Sequence, residues 1–334
     1  PAPAPVQLPG QALPAAEVAP VQPPPSLAQA PGARKGDALN PAFNVAFQGD
    51  GGDLQRVSEY AADVFATYFE EEAAKMPRPQ YMESQTEINS KMRGILIDWL
   101  IEVHMKYKLR VETLYLTVNI IDRYISSRTV SRRRLQLVGV VAMFIAAKFE
   151  EIDPPKASEF AYITDNTYTK TEVLNMECSM LAALNFQVVV PTQAHFLDRL
   201  ARVAGCDATQ RALAQYLLEL ALVDAKMALH RPSVLVSAAL LLGNELLGQQ
   251  PRRPALARSA ANLWPAALAH HSRRSESELR PCAEELRALM HKAPGSPLQA
   301  VRKKYSQECN HAVADLSCCL PRDSVSATAP VRAG

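Results

Sequence analysis

Residues 92 to 102 read MRGILIDWLIE, and the spacing of their apolar side chains decides the fold. At 100° per residue Met92, Ile95, Leu96, Trp99 and Val103 fall on one stripe of a helix, with Ile97, Leu100, Ile101 and His104 on a second beside it. The two stripes cover roughly two thirds of the circumference. Gly94, Asp98 and Glu102 make the one clearly polar strip, and Arg93 lies inside the apolar arc. A helix this apolar has to be enclosed by others. An arginine within the arc is tolerable only if it is paired and hydrogen-bonded or if it snorkels to solvent.

The same periodicity extends outward in both directions. From Gln55 onward strong helix formers dominate and apolar residues recur at three and four rather than alternating. A first helix is predicted over 58–75, ended by MPRP because proline cannot continue the turn. Helices follow over 89–106, 112–126, 132–149 and 156–163, and a T-x-x-E capping box at Thr169 and Glu172 opens another that runs to 184. Five helices in so short a span make one compact all-α unit. After VVVPT the pattern starts again, over 193–203, 209–228, 233–247 behind Pro232, a weaker 263–270, and 277–291. The long apolar third helices, around 138–147 and 234–247, occupy corresponding places, which is a repeat by pattern. GQQPRRPALARS interrupts the second half, an amphipathic segment covers 298–309, and an irregular tail closes the sequence.

Composition narrows the function. Residues 1–53 are rich in proline and alanine and carry too little apolar surface to offset chain entropy, so a disordered tail is expected; the start on Pro1 rather than Met is expected of a fragment. With 36 basic against 34 acidic residues there is no footprint for nucleic acid. No run of about 20 apolar residues suits a bilayer and the start lacks signal-peptide regions, so a soluble, intracellular chain with protein partners is expected. Cys178, Cys206, Cys282, Cys309, Cys318 and Cys319 show no C-x-x-C spacing and read as reduced structural thiols; no metal or cofactor is called for. No phosphate loop, dinucleotide fingerprint, H-E-x-x-H or G-x-S-x-G is present, His270 and His271 cannot share a helix face, and Glu150 and Glu151 read as a solvated turn. Binding, not catalysis, is the expected activity.

MRGILIDWLIE at 92–102, LQLVGVVAMFIAAKFEE at 135–151 and YITDNTYTK at 162–170 together closely resemble the cyclin box of mitotic A- and B-type cyclins, and the likeness covers about 58–316. It implies an all-α fold: a disordered tail (1–53), an N-terminal helix and linker (54–87), two tandem five-helix boxes (88–188 and 189–316) and an irregular tail (317–334). It also implies a regulatory subunit, not an enzyme, that activates a cyclin-dependent kinase in cell-cycle control and acts in nucleus and cytoplasm. By the same resemblance Arg93 pairs with Asp122 as a structural ion pair. Lys148 and Glu177 contact the kinase, with Phe149, Tyr60 and Val64 extending that contact. Met92, Ile95, Leu96, Trp99, Leu135 and Gln136 form a patch that docks R-x-L substrates or inhibitors, with Glu102 receiving their cation. On periodicity alone the patch residues are core and the lysine and glutamate are solvated charges.

HMKYKL at 104–109 is nearer to B-type cyclins, plant and algal ones in particular, whereas FEEI is nearer to A-type; B is favoured. No R-x-x-L destruction signal occurs in residues 1–53. Two alternatives share the fold class: a transcription-type factor or cyclin, and a helical scaffold without a cell-cycle kinase. The near-neutral charge disfavours the DNA-gripping version.

Overall fold

The computed structural model describes residues 60–248 and 263–316. The proline-rich tail, most of GQQPRRPALARS, and Cys318 and Cys319 lie outside the described residues. Among the described residues every regular element is a helix. Helix α1 (Ala61–Glu71) runs into a 3-10 turn, Glu72–Lys75. The first repeat follows as α2 (Ser90–Tyr107), α3 (Val111–Ser127), α4 (Leu135–Glu150), α5 (Ala157–Ile163) and α6 (Lys170–Ala183). The second is α7 (Gln193–Val203), α8 (Ala208–Val223), α9 (Pro232–Gly248), α10 (Ala266–Ser272) and α11 (Glu276–Lys292), trailed by the short α12 (Ala300–Tyr305) and α13 (Val313–Leu316).

Local chemistry sets most helix ends. Asn89 caps α2, its side chain accepting from the Met92 N–H at 3.0 Å, and Thr169 with Glu172 forms a reciprocal capping box on α6. Pro232 is the first residue of α9, where its missing N–H costs nothing. At three places a departure from the sequence expectation has a clear local cause. Arg132–Arg134 form a 3-10 turn instead of the first turn of α4: none of the three is buried, so no packing holds them in α register. Helix α8 stops at Val223, not near 228, because Asp224 turns extended and its carboxylate accepts from the Lys226 N–H at 2.8 Å. The turn at Glu150 and Glu151 is not a free solvated end, since Glu151 accepts from the Arg110 N–H at 2.8 Å and from the Thr113 hydroxyl, closing the N-terminus of α3.

The third helix of each repeat is its axle. Every residue of α4 from Leu137 to Ala147 is buried, packed by α2, α3, α5 and α6; α9 is enclosed likewise by α7, α8 and α11. Burying each such Leu, Ile or Val stabilises by about 1.5 to 3 kcal/mol before entropy is counted. Helix α4 consequently reaches the surface only near its ends, at Gln136 and at Lys148, Phe149 and Glu150. Gln136 and Phe149 stand about 20 Å apart along the axis at 1.5 Å per residue. One rigid helix thus displays two separate places.

Candidate functional site

At the first end of α4 lies an open groove of about 320 Å³, lined by Met92, Ile95, Leu96 and Trp99 of α2, Leu135 and Gln136 of α4, and Arg132 of the preceding turn. Ile95 is 50% exposed and Met92 and Trp99 are half-buried, forming the walls. Leu96 and Leu135, expected within an open patch, are each only 6% exposed and make the floor. For Leu96 the reason is Gly139: a Cβ there would stand 2.7 Å from Leu96 Cδ1, so the glycine lets Leu96 settle against α4. Glu102 does not line the groove; its carboxylate faces Lys303 at 3.6 Å, both side chains about half or more exposed. Arg132 does line it, which sequence reading missed because it fell within a predicted helix.

At the other end of α4, Lys148 and Glu177 of α6 form an ion pair, and the Lys148 ammonium sits 4.4 Å from the Phe144 ring centre. The Glu177 side chain is nearly buried and that of Lys148 is 43% exposed. Phe149 beside them is half exposed, and Ile152, after the helix, is fully exposed. Phe186 (71% exposed) and Val189 (65%) follow α6 in the connection between repeats. Neither Ile152, Phe186 nor Val189 was singled out from the sequence. The available signal was an apolar residue just past a helix end, outside any periodic stripe.

Helix α1 is docked on the second repeat. Phe65, Tyr68 and Phe69 pack around Phe196, Arg199 lies 4.3 Å over the Phe65 ring and donates to the Ala61 carbonyl at 3.0 Å, and Arg273 lies over Phe69. Buried Glu72 then accepts from the Ser233 N–H at 3.0 Å and its hydroxyl at 2.7 Å, placing a carboxylate at the positive end of α9. Tyr60 and Val64, 56% and 41% exposed, occupy the side of this segment left open.

Arg93 is wholly buried. Its Nε and Nη2 donate to the two carboxylate oxygens of Asp122 at 2.6 and 2.7 Å, a bidentate pair completed by the Tyr81 hydroxyl donating to Asp122 at 2.8 Å. Burial alone would disfavour the cation, but Asp122 more than offsets it and holds the guanidinium above its ordinary range. The remaining nitrogen, Nη1, donates to the carbonyls of Leu222 at 2.9 Å and Val223 at 3.4 Å, the last residues of α8. Arg93 is therefore a joint between repeats as well as a pair within one.

The polar strip of α2 faces the same joint. A Cβ on Gly94 would meet the Val223 carbonyl oxygen at 3.3 Å; Asp98 accepts from the Ala300 N–H at 3.0 Å, closing α12. Buried Glu219 of α8 holds that segment from the other side through Lys304 at 2.6 Å and the Tyr305 hydroxyl at 2.7 Å. No cluster of three or more metal-ligating side chains occurs among the described residues, and no described helix is long and apolar enough to cross a membrane.

Comparisons with known proteins match the two repeats separately. The family model "Cyclin, N-terminal domain" matches residues 63–189, and "Cyclin, C-terminal domain" matches residues 191–319. A G2/mitotic-specific cyclin-A of Patella vulgata is 42% identical over 273 residues, 81% of this chain and 61% of that protein. A G2/mitotic-specific cyclin-B of Marthasterias glacialis is 40% identical over 252 residues, 75% of this chain and 62% of that protein. The chain thus spans about three fifths of the length of these relatives, and A- and B-type relatives match almost equally. Among solved structures, a viral cyclin from herpesvirus saimiri superposes with a TM-score of 0.58 at 21% identity, covering 68% of this chain and 96% of that one, a likeness of fold.

Proposed function

The chain belongs to the cyclin family, and on that premise we propose that it is a non-catalytic regulatory subunit that binds and activates a cyclin-dependent protein kinase in cell-cycle control. The observation that carries the reading is the end of α4: Lys148 and Glu177 form an ion pair flanked by exposed Phe149 and Ile152. Such a pair can exchange its mutual contact for backbone groups of a partner, while the exposed apolar side chains supply buried area. Tyr60 and Val64 on the open side of α1 extend the contact. An active kinase needs a Lys to Glu ion pair between a strand and its regulatory helix. A subunit that binds the helix-in arrangement more tightly shifts the population toward it by its differential affinity, with no chemistry of its own.

The groove at the opposite end of α4 recruits R-x-L substrates or inhibitors in the same reading. Ile95, Met92 and Trp99 wall an apolar slot for a leucine, and Glu102, with half of its side chain exposed, supplies charge for the arginine by giving up its distant contact with Lys303. Action in nucleus and cytoplasm belongs to the same proposal, on the strength of the mitotic relatives, and imaging of the tagged chain in dividing cells tests it.

Co-purification with a cyclin-dependent kinase, followed by histone phosphorylation, tests the main claim. The wild-type chain forms an active complex, and Lys148→Ala/Glu177→Ala lowers kinase affinity by a factor on the order of 30 or more at unchanged helicity. Equal traces of kinase with both chains, and no histone phosphorylation, would overturn it.

A further inference from the structure

Ser296 and Pro297 form the single Ser/Thr-Pro dipeptide in the 334-residue sequence. They lie between α11 and α12, just after a 3-10 turn, Ala293–Gly295. Ser296 has φ −74° and ψ 143°, the extended conformation that a following proline enforces. Its flanks Pro294, Gly295 and Pro297 are exposed, and Ser296 itself is half-buried, its hydroxyl oxygen accepting from the Leu298 N–H at 3.1 Å. Proline has no N–H to satisfy. A kinase whose cleft leaves the residue after the acceptor without a hydrogen-bond acceptor therefore selects this dipeptide.

The second observation is what Ser296 borders. It lines an open groove of about 360 Å³ between the repeats, whose charged lining residues are Lys91, Lys292 and Asp224. Ser90 and Lys91, the first two residues of the 18-residue α2, form its other wall, so the positive end of a long helix faces the groove. Two lysines and a helix N-terminus against one carboxylate leave the groove net positive. A phosphate on Ser296 carries about −1.5 to −2 charges and three acceptor oxygens.

We propose that Ser296 is a phosphorylation site for a proline-directed serine/threonine kinase using ATP, and that its phosphate is held in this groove by Lys91, Lys292 and the N-terminus of α2. In the kinase site Ser296 Oγ bonds to the γ-phosphorus of ATP as the bond from that phosphorus to the β,γ-bridging oxygen breaks. ADP leaves, and the hydroxyl proton passes to the kinase's catalytic carboxylate. The phosphoserine belongs to the second repeat and α2 to the first, so the modification fastens the joint that Arg93 and Asp98 already make. The proposal holds whether or not the chain itself binds a kinase.

The full chain, incubated with magnesium-ATP and a purified MAP-kinase-type enzyme, tests both parts by phosphopeptide mass spectrometry and thermal unfolding. Phosphate is expected on Ser296 in the folded wild-type chain and not in Ser296→Ala, with Tm raised by about 2 to 4 °C relative to the untreated protein. In Lys91→Ala/Lys292→Ala, and in the single exposed-site variant Lys292→Ala, phosphate is still incorporated but the rise shrinks or disappears. Absence of label at Ser296 in the folded chain would overturn the site. A fall or no change in Tm on labelling, or an undiminished rise in the lysine variants, would overturn the groove's role.

Discussion

On α2, Ile95 is half exposed whereas Gly94, its neighbour in sequence, is buried, and the contrast continues along both edges of the helix. Met92, Ile95 and Trp99 wall an open groove. Asp98 closes α12, Glu102 faces Lys303, and Gly94 lies against the end of α8. The apolar edge is left open, whereas on the polar edge Gly94 and Asp98 are covered and Glu102 stays half exposed. Hydropathy tells which face can be enclosed by apolar neighbours; it does not tell which face the rest of the chain uses. Here the second repeat takes the polar edge, because helix ends need acceptors and donors, and the apolar edge remains for another molecule.

The comparison breaks most severely at Arg93. Arg93→Ala strands Asp122 without its cation and frees the carbonyls of Leu222 and Val223, at a cost of about 3 to 5 kcal/mol in chemical denaturation. Asp122→Ala should cost a similar amount, since it leaves the guanidinium buried and unpaired.

A smaller effect comes from His104, on the inner face of α2. Burial first, and the nearby Lys304 cation second, push its imidazole down to about 3. Unfolded histidine titrates near 6.5, so between that pH and about 3 the unfolded chain binds the extra proton. The stabilisation is complete above pH 6.5 and is lost as pH falls, about 2 kcal/mol of it by pH 5. His271, pushed down to about 4 by burial and then by Arg199, acts in the same direction. Unfolding free energies measured from pH 7 to 5 should decline, and His104→Gln should flatten part of that slope.

At the smaller end, Asp98→Ala removes the acceptor that closes α12 and should cost about 1 kcal/mol, with protease nicking near residues 300–305 as a local readout. Binding at the groove should be unaffected, which separates the two edges of α2. A groove that weakened along with α12 would join them.

Much of the fold was legible because α4 and α9 are too apolar to be anything but enclosed, and because the Thr169 and Glu172 box and Pro232 mark helix starts in the chain itself. The need for a partner at Arg93 was legible for the same reason, a charge inside an apolar arc. Its bonds to Leu222 and Val223 were not, since nothing local marks a carbonyl about 130 residues away as free. Glu72 and Glu219 were equally silent: each reads as a surface acid until a helix end or a distant lysine and tyrosine closes on it. In the groove, periodicity gave the two stripes of α2 and the family resemblance chose between them. The split of the chosen stripe into walls and a buried floor needed Gly139, whose missing Cβ only the packing reveals.

The most direct measurement compares Met92→Ala/Ile95→Ala with the wild-type chain in two titrations, one with an R-x-L peptide and one with a cyclin-dependent kinase. If the apolar edge of α2 is kept for a substrate and the kinase contact lies about 20 Å away at the far end of α4, peptide affinity falls by about tenfold or more while kinase affinity and histone phosphorylation stay level. Unchanged peptide binding, or loss of peptide and kinase together, would contradict the account.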